Sequence, residues 1–232
     1  MFVEGVGFLL TGRSFRTSKH SQLIEKSVNS TTLFGLLSND TKIGININRG
    51  KVGKKARIND ENIRSLSKLA ELYPVQLLTP ESYHLIDSGP NQRRKFLDWL
   101  LFHVEQQFNS EIQLYSRSLK HLNALYKTKA VDSEEVYWAQ QLCAKGEKIN
   151  TKRSLLLDNS LIETIKANLK AFLPEFCFEI SYYRGWEKGY TLSEALEKNK
   201  LRDIKNGFVS VGPHKADLRV KTHGVNAHEV LS

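Results

Sequence analysis

The pattern of apolar and polar positions changes its period twice along this chain of 232 residues. Val3 to Leu10 is an apolar run that predicts the last turns of a helix, and Gly12-Arg13-Ser14-Phe15-Arg16 breaks it with a basic loop. Thr31 to Leu37 and Lys42 to Asn48 are rich in β-formers. Ile43, Ile45 and Ile47 alternate with small or polar residues, the period of a half-buried strand. Arg49-Gly50-Lys51-Val52-Gly53 supplies a turn and Lys54 to Asn59 returns, which predicts a β-hairpin. Ile63, Leu66, Leu69, Ala70 and Leu72 then recur at helical spacing, and Val75 to Leu78 predicts a short strand holding Gln76.

From Pro80 to Leu173 the period is helical. Phe96, Leu97, Leu100, Leu101, Val104 and Phe108 share one face, and Ile112, Tyr115, Leu119, Leu122 and Tyr126 continue it. After a break at Ala130-Val131-Asp132-Ser133, with Asp132 or Ser133 as N-cap, Leu142, Ile149 and Leu156 recur by sevens. That spacing predicts a helix packed along a partner in a coiled-coil-like hairpin. Pro174 ends the stretch. Beyond it the pattern is mixed. Cys177 to Tyr183, Val209 to Val211 and Asp217 to Lys221 read as strands, the last turning at His223-Gly224, and Leu192 to Arg202 reads as a helix. A mixed, helical, mixed order predicts a helical lobe inserted into an α/β lobe that both ends of the chain share.

Composition narrows the partner more than the fold. Hydrophobic residues make up 40% and charged residues 25%, as in ordinary globular proteins. A net charge of +9 favours an anionic partner such as nucleic acid. Cys143 and Cys177 lack metal-ligand spacing and are expected as buried thiols in a reducing compartment. No apolar run has membrane-spanning length and no secretory signal opens the chain, so a cytoplasmic location is the expectation.

Chemistry-bearing residues are sparse. Gly50-Lys51-Val52-Gly53-Lys54-Lys55 imitates a phosphate-binding loop, but its glycine spacing is wrong and Lys55 stands where a hydroxyl is needed for Mg²⁺. Basic clusters occur at Arg13/Arg16/Lys19, at Arg49/Lys51/Lys54/Lys55/Arg57 and at Lys145/Lys148/Lys152/Arg153, the last on one helical face. Such a face can follow phosphates without reading sequence. No zinc finger, base-reading motif or aromatic stacking array accompanies them. Arg93 and Arg94 precede Asp98 by one turn, a spacing that suits an Arg–Asp pair bracing the Pro80 turn, the favoured reading, with phosphate binding as the alternative. His214 follows a Gly-Pro break, posed either towards a nucleotide or in a turn-fixing hydrogen bond. No nucleophile has a base partner, and His84, His103 and His121 lack metal spacing.

Several blocks, taken in order, resemble the RecF family of DNA repair and recombination proteins. They are Gly12 to Arg16; Thr79 to Asp98, with Pro80, Glu81, Gly89, Pro90, Arg93, Arg94 and Asp98; Phe172 to Phe176 with Arg184 to Lys188; Gly212-Pro213-His214-Lys215-Ala216-Asp217-Leu218; and Glu229 to Ser232. Ser88 stands where the family pattern has the first of two glycines, and would be strained there if its φ were positive. The resemblance implies an α/β fold, an incomplete P-loop ATPase head of the ABC/SMC type with an inserted helical lobe. It divides the chain into 1–79 (hairpin-rich head), 80–174 (helical arm) and 175–232 (return to the head, ending at the signature loop).

By the same resemblance the family's P-loop precedes Met1 and its Mg²⁺-binding strand follows Ser232, so the chain is expected to be an internal fragment. ATP and Mg²⁺ belong to the full-length protein, a weak ATPase that dimerises on ATP. No cofactor and no catalytic residue are expected in this chain. Arg13 and Ser232 would face nucleotide, and Arg13, Arg16, Lys51, Lys54, Lys55, Lys145, Lys148, Lys152 and Arg153 are the DNA-contact candidates. The implied function is ATP-dependent binding to gapped DNA and single-strand/double-strand junctions with mediator proteins of the RecO and RecR types, helping to load recombinase in the SOS response. The alternative is a non-enzymatic module that binds junctions or proteins.

Overall fold

The structure is a computed structural model that describes residues 2–49, 54–63, 65–105, 107–129 and 133–231. The chain divides into two compact units, Met1–Leu78 and Thr79–Ser232.

In the first unit α1 (Phe2–Thr11) lies on a meander of β1 (Ser30–Leu36), β2 (Lys42–Asn48), β3 (Lys54–Ile58) and β4 (Glu61–Ile63), followed by α2 (Ser67–Leu72). All three pairings are antiparallel, with Leu33 opposite Ile45 and Ile45 opposite Ala56. The alternation of Ile43, Ile45 and Ile47 has the expected consequence: all three are buried on one face, against Phe8 and Leu9 of α1 and Leu69 of α2. Helical spacing from Ile63 onwards overreached, because Ile63 pairs with Ala56 in the sheet and the helix forms only at Ser67. Val75 to Leu78, with Gln76, is irregular rather than a strand.

The second unit begins with a 3₁₀ turn (Pro80–Tyr83), α3 (His84–Asp87) and α4 (Pro90–Val104). Next come α5 (Phe108–Thr128), α6 (Ser133–Leu156) and α7 (Asn159–Phe172). It closes with β5 (Phe178–Tyr183), α8 (Leu192–Asn206), a 3₁₀ turn (Pro213–Lys215), β6 (Asp217–Thr222), β7 (Val225–Asn226) and α9 (Ala227–Leu231). β5, β6 and β7 form an antiparallel sheet. The helices α5 and α6 pair as a long hairpin, and α8 joins them around Tyr115, Leu122, Tyr126, Leu142, Ile149, Trp186, Leu192 and Val209.

Two of the three heptad positions, Leu142 and Ile149, are fully buried in this core. Small residues let the helices close on one another. A Cβ at Gly146 would sit 2.4 Å from Leu192 Cδ2 and 3.2 Å from Tyr115. The roughly 1 kcal/mol that a mid-helix glycine costs is therefore tied to α8 packing. The start of α8 is set by a reciprocal capping box between Thr191 and Glu194, and its end by Gly207 in the left-handed region. Val209 to Val211 is not a strand; Val209 N donates to Asn123 Oδ1 and Ser210 N to Asp203 Oδ2 instead of to a ladder.

Candidate functional site

The family-like blocks at Pro80–Asp98 and Gly212–Leu218, far apart in sequence, meet in the second unit. Pro90 takes the first helical position of α4, where a missing N–H costs nothing, after Gly89 as N-cap. This start places Arg93 and Arg94 in the opening turns and Asp98 a turn later, over the segment leading into β6. Arg93 makes a two-toothed ion pair with Asp217, Nε to Oδ1 at 2.8 Å and Nη2 to Oδ2 at 3.3 Å. Its Nη1 donates to Ser88 O at 2.9 Å and Ile86 O at 3.2 Å. Arg94 Nη1 donates to Ala216 O at 2.8 Å. From α6, Arg153 grips Asp98, Nε to Oδ1 at 2.9 Å and Nη2 to Oδ2 at 3.0 Å, and its Nη1 donates to Pro213 O at 2.8 Å. Three guanidinium groups thus fasten the carbonyls and the carboxylate of 213–217 to α4 and α6.

The loop itself is built for close approach. Gly212 adopts φ +128°, where an L side chain is strained, and a Cβ there would lie 2.7 Å from Tyr115 Oη. Gly212 N donates to Gly185 O at 3.1 Å. Beyond it His214 is fixed at both ring nitrogens. Nε2 lies 3.0 Å from Val209 O, which can only accept, so Nε2 carries the proton. Nδ1 is then the acceptor of the Tyr115 hydroxyl at 2.6 Å. Burial lowers the His214 pKa to about 4, and burial raises that of Tyr115, which keeps the phenol a donor.

These contacts revise several expectations. Asp98 pairs with Arg153, not with Arg93 or Arg94, because both of those reach the 213–217 segment first. Arg153 leaves the exposed basic face altogether, since its side chain is only 3% exposed. Lys152 is also engaged, bridging Glu105 at 3.2 Å and Glu111 at 3.1 Å. His214 makes turn-fixing bonds. Ser88 has φ −76° and ψ 156°, ordinary extended backbone, so no glycine is required there. Pro80 and Glu81 open the 3₁₀ turn at the start of the unit. Cys143 is half-buried, with burial pushing its thiol up to about 11, while Cys177 is exposed rather than buried.

In the first unit, Arg13 is exposed in the loop after α1. Glu4 holds that loop through Ser14 Oγ at 2.6 Å and Arg16 Nη1 at 3.2 Å. Lys54 donates to Gly12 O and lies over the Phe8 ring, and burial followed by repulsion from Arg13 lowers its pKa. Lys55 is exposed on β3. Arg49 is consumed by the carbonyls of Ile24, Glu25 and Val28, which takes it off the basic cluster. Lys51 and Ser232 lie outside the described residues.

The donor set does not fit a magnesium–triphosphate group. The guanidinium groups of Arg93, Arg94 and Arg153 are directed at protein carbonyls and carboxylates. The glycine–lysine stretch lies mainly outside the described residues, and strand β3 rather than a helix N-terminus follows it. Among the described residues no cluster of His, Cys, Asp or Glu could hold a metal ion. No helix among them is long and apolar enough to cross a membrane.

No family model matches the chain. Individual relatives match over nearly its whole length. It is 44% identical, over 99% of this chain and 64% of the relative, to DNA replication and repair protein RecF of Pseudoalteromonas atlantica. It is 37% identical, over 99% of this chain and 65% of the relative, to the protein of the same name from Vibrio parahaemolyticus. The chain thus spans just under two thirds of the length of these relatives. Two solved structures share the fold: a recombination mediator protein RecF with ATPrS in the RecFOR pathway, at TM-score 0.82 and 22% identity over 100% of this chain and 66% of that one, and RecF with ATP, at TM-score 0.80 and 21% identity over 98% of this chain and 65% of that one. The α/β fold of the RecF head is therefore the fold of this chain. With its ordered blocks, the chain is homologous to RecF proteins over nearly its whole length and shares their fold.

Proposed function

We propose that the chain serves in DNA replication and repair as a RecF-type protein, contributing the DNA-contacting part of a nucleotide-driven clamp. The observation that carries this reading is identity of 44% across 99% of the chain to a DNA replication and repair protein. The arginine clamp on 213–217 supports it, because it uses the residues of two family-like blocks to set the segment ahead of β6 and α9. In the whole protein, ATP with Mg²⁺ would drive dimerisation, and mediators of the RecO and RecR types would be the partners in loading recombinase at gapped DNA and single-strand/double-strand junctions. The named solved relatives carry ATP or ATPrS and belong to a RecFOR pathway. Within this chain Arg93, Arg94 and Arg153 serve structure, so its own contribution is DNA contact through other cations, the exposed Arg13, Lys55 and Lys148 and the half-buried Lys145.

A gel shift across a salt series tests this. The chain should retard a gapped duplex more than a blunt duplex of equal length, and binding should weaken steeply with salt as counterions are released. Equal or absent retardation of both duplexes at low salt would overturn the reading.

A further inference from the structure

The α5–α6 hairpin carries a surface feature that neither helix shows alone. His121 of α5 and Trp138 of α6 stack face to face, with ring centroids 4.1 Å apart and planes 2° from parallel. Tyr137 meets Trp138 edge-on at 5.1 Å and is 55% exposed. Trp138 is half-buried against the helical core, whereas His121 is exposed. The imidazole is therefore the outer layer of a two-ring stack anchored from below.

Cations flank this stack along the same face. On α5, Arg117 lies one turn before His121; on α6, Lys145 and Lys148 follow Trp138 by 7 and 10 residues, at the spacing of a single helical stripe. The opposite flank of α6 is occupied by α8, where Leu192 N donates to Glu147 Oε1 at 2.6 Å. Among the described residues no ion pair engages Arg117, Lys145 or Lys148, while their neighbours Lys152 and Arg153 are fully committed to Glu105, Glu111 and Asp98. Beyond Glu134 at the loop end, the α6 stripe through 138, 141, 145 and 148 carries no carboxylate. A flat aromatic surface beside unneutralised cations complements a chain of exposed bases joined by phosphates. A duplex keeps its base faces stacked internally and cannot use the ring.

We propose that the His121–Trp138 stack is a platform for a base of single-stranded DNA, with Arg117, Lys145 and Lys148 holding the adjoining phosphates. This deepens the DNA-contact reading above and rests on it. Base–aromatic stacking tolerates any sequence, which fits a surface without base-edge readers.

The test uses the whole 232-residue chain. A labelled oligo-deoxythymidine and a labelled gapped duplex are titrated by fluorescence anisotropy, and indole emission is followed with unlabelled oligonucleotide. His121→Ala, and Arg117→Glu with Lys148→Glu, should each weaken oligonucleotide binding by about fivefold or more. Lys205→Glu, on exposed α8 surface, should change it less than about twofold. The oligonucleotide should quench emission in the native chain, and Trp138→Phe should remove most of that quenching. Because His121, Arg117 and Lys148 are exposed, their variants should keep the native melting temperature. If the gapped duplex binds but these variants bind the oligonucleotide like the native chain, or if it does not bind at all, the platform is overturned and the broader reading stands. If neither DNA binds, both fall together.

Discussion

Arg153, near the end of α6, and Asp98, in the middle of α4, form a two-toothed ion pair with N–O distances of 2.9 and 3.0 Å, although 55 residues separate them. The third guanidinium nitrogen donates to Pro213 O, so one side chain joins two helices and the segment before β6. Both partners are largely out of water, with side chains 3% and 28% exposed. Such a pair contributes little net stability over a well-packed apolar pair, but removing one partner leaves the other charge buried and uncompensated. Arg153→Ala is therefore expected to lower the unfolding free energy by about 3 kcal/mol. Asp98→Asn should lower it by less, since the amide oxygen still accepts one bond. Urea unfolding followed by circular dichroism reads both; a loss under about 1 kcal/mol for Arg153→Ala would show that the pair is dispensable.

His214 gives the unit a defined acid sensitivity. Its folded-state pKa of about 4 lies below the ordinary value of 6.5, with burial as the first cause. The neutral ring is the form the fold prefers, so the unfolded chain binds the extra proton. Stability is complete above the ordinary value and is lost as pH falls from about 6.5 towards 4. The full loss is about 3 kcal/mol, from roughly 1.4 kcal/mol per unit of difference. Denaturant midpoints measured at pH 7 and pH 4.5 should differ in the native chain, and the difference should shrink in His214→Asn. An unchanged pH profile in that variant would remove His214 as the source.

Much of the architecture was legible because it is periodic. The alternation of Ile43, Ile45 and Ile47 gave the buried sheet face, and the sevenfold recurrence of Leu142 and Ile149 gave the hairpin of long helices. The errors fall where tertiary contacts replace local pattern. Val209 to Val211 has a strand-like sequence but spends its backbone donors on Asn123 and Asp203. Arg93, Arg94 and Asp98 sit at spacing suited to a local pair, yet each chooses a partner more than fifty residues away. Helical spacing likewise put Lys145, Lys148, Lys152 and Arg153 on one face, and could not show that the last two turn to carboxylates on other elements. The His121–Trp138 stack was invisible for the same reason: it exists only when two antiparallel helices bring residues 17 positions apart into register.

Nucleotide affinity follows from the donor set. Phosphates in this fold class need a run of backbone N–H groups at a helix N-terminus with a lysine and a hydroxyl. The chain's glycine–lysine stretch leads instead into β3, and its buried arginines are committed elsewhere. Isothermal titration of the 232-residue chain with MgATP is expected to show no saturable binding at micromolar concentrations. Tight, Mg²⁺-dependent binding would mean that residues such as Arg13 assemble a site of a different design.

Gly212 provides the sharpest test of how the 212–217 segment is held. Its φ of +128° disfavours any side chain, and a Cβ would meet the Tyr115 hydroxyl at 2.7 Å, the same hydroxyl that donates to His214. Gly212→Ala therefore combines backbone strain with displacement of that donor, and a loss of about 2–4 kcal/mol is expected. Gly44 offers a matched control, because its φ is not positive and a Cβ there would meet nothing within 4 Å. Gly44→Ala should stay within about 0.5 kcal/mol of the native chain. If the two variants melt alike, the close approach at Gly212 is not what fixes the segment. If Gly212→Ala alone is destabilised, adding Tyr115→Phe should recover part of the loss, since the hydroxyl that collides with the new methyl is then gone.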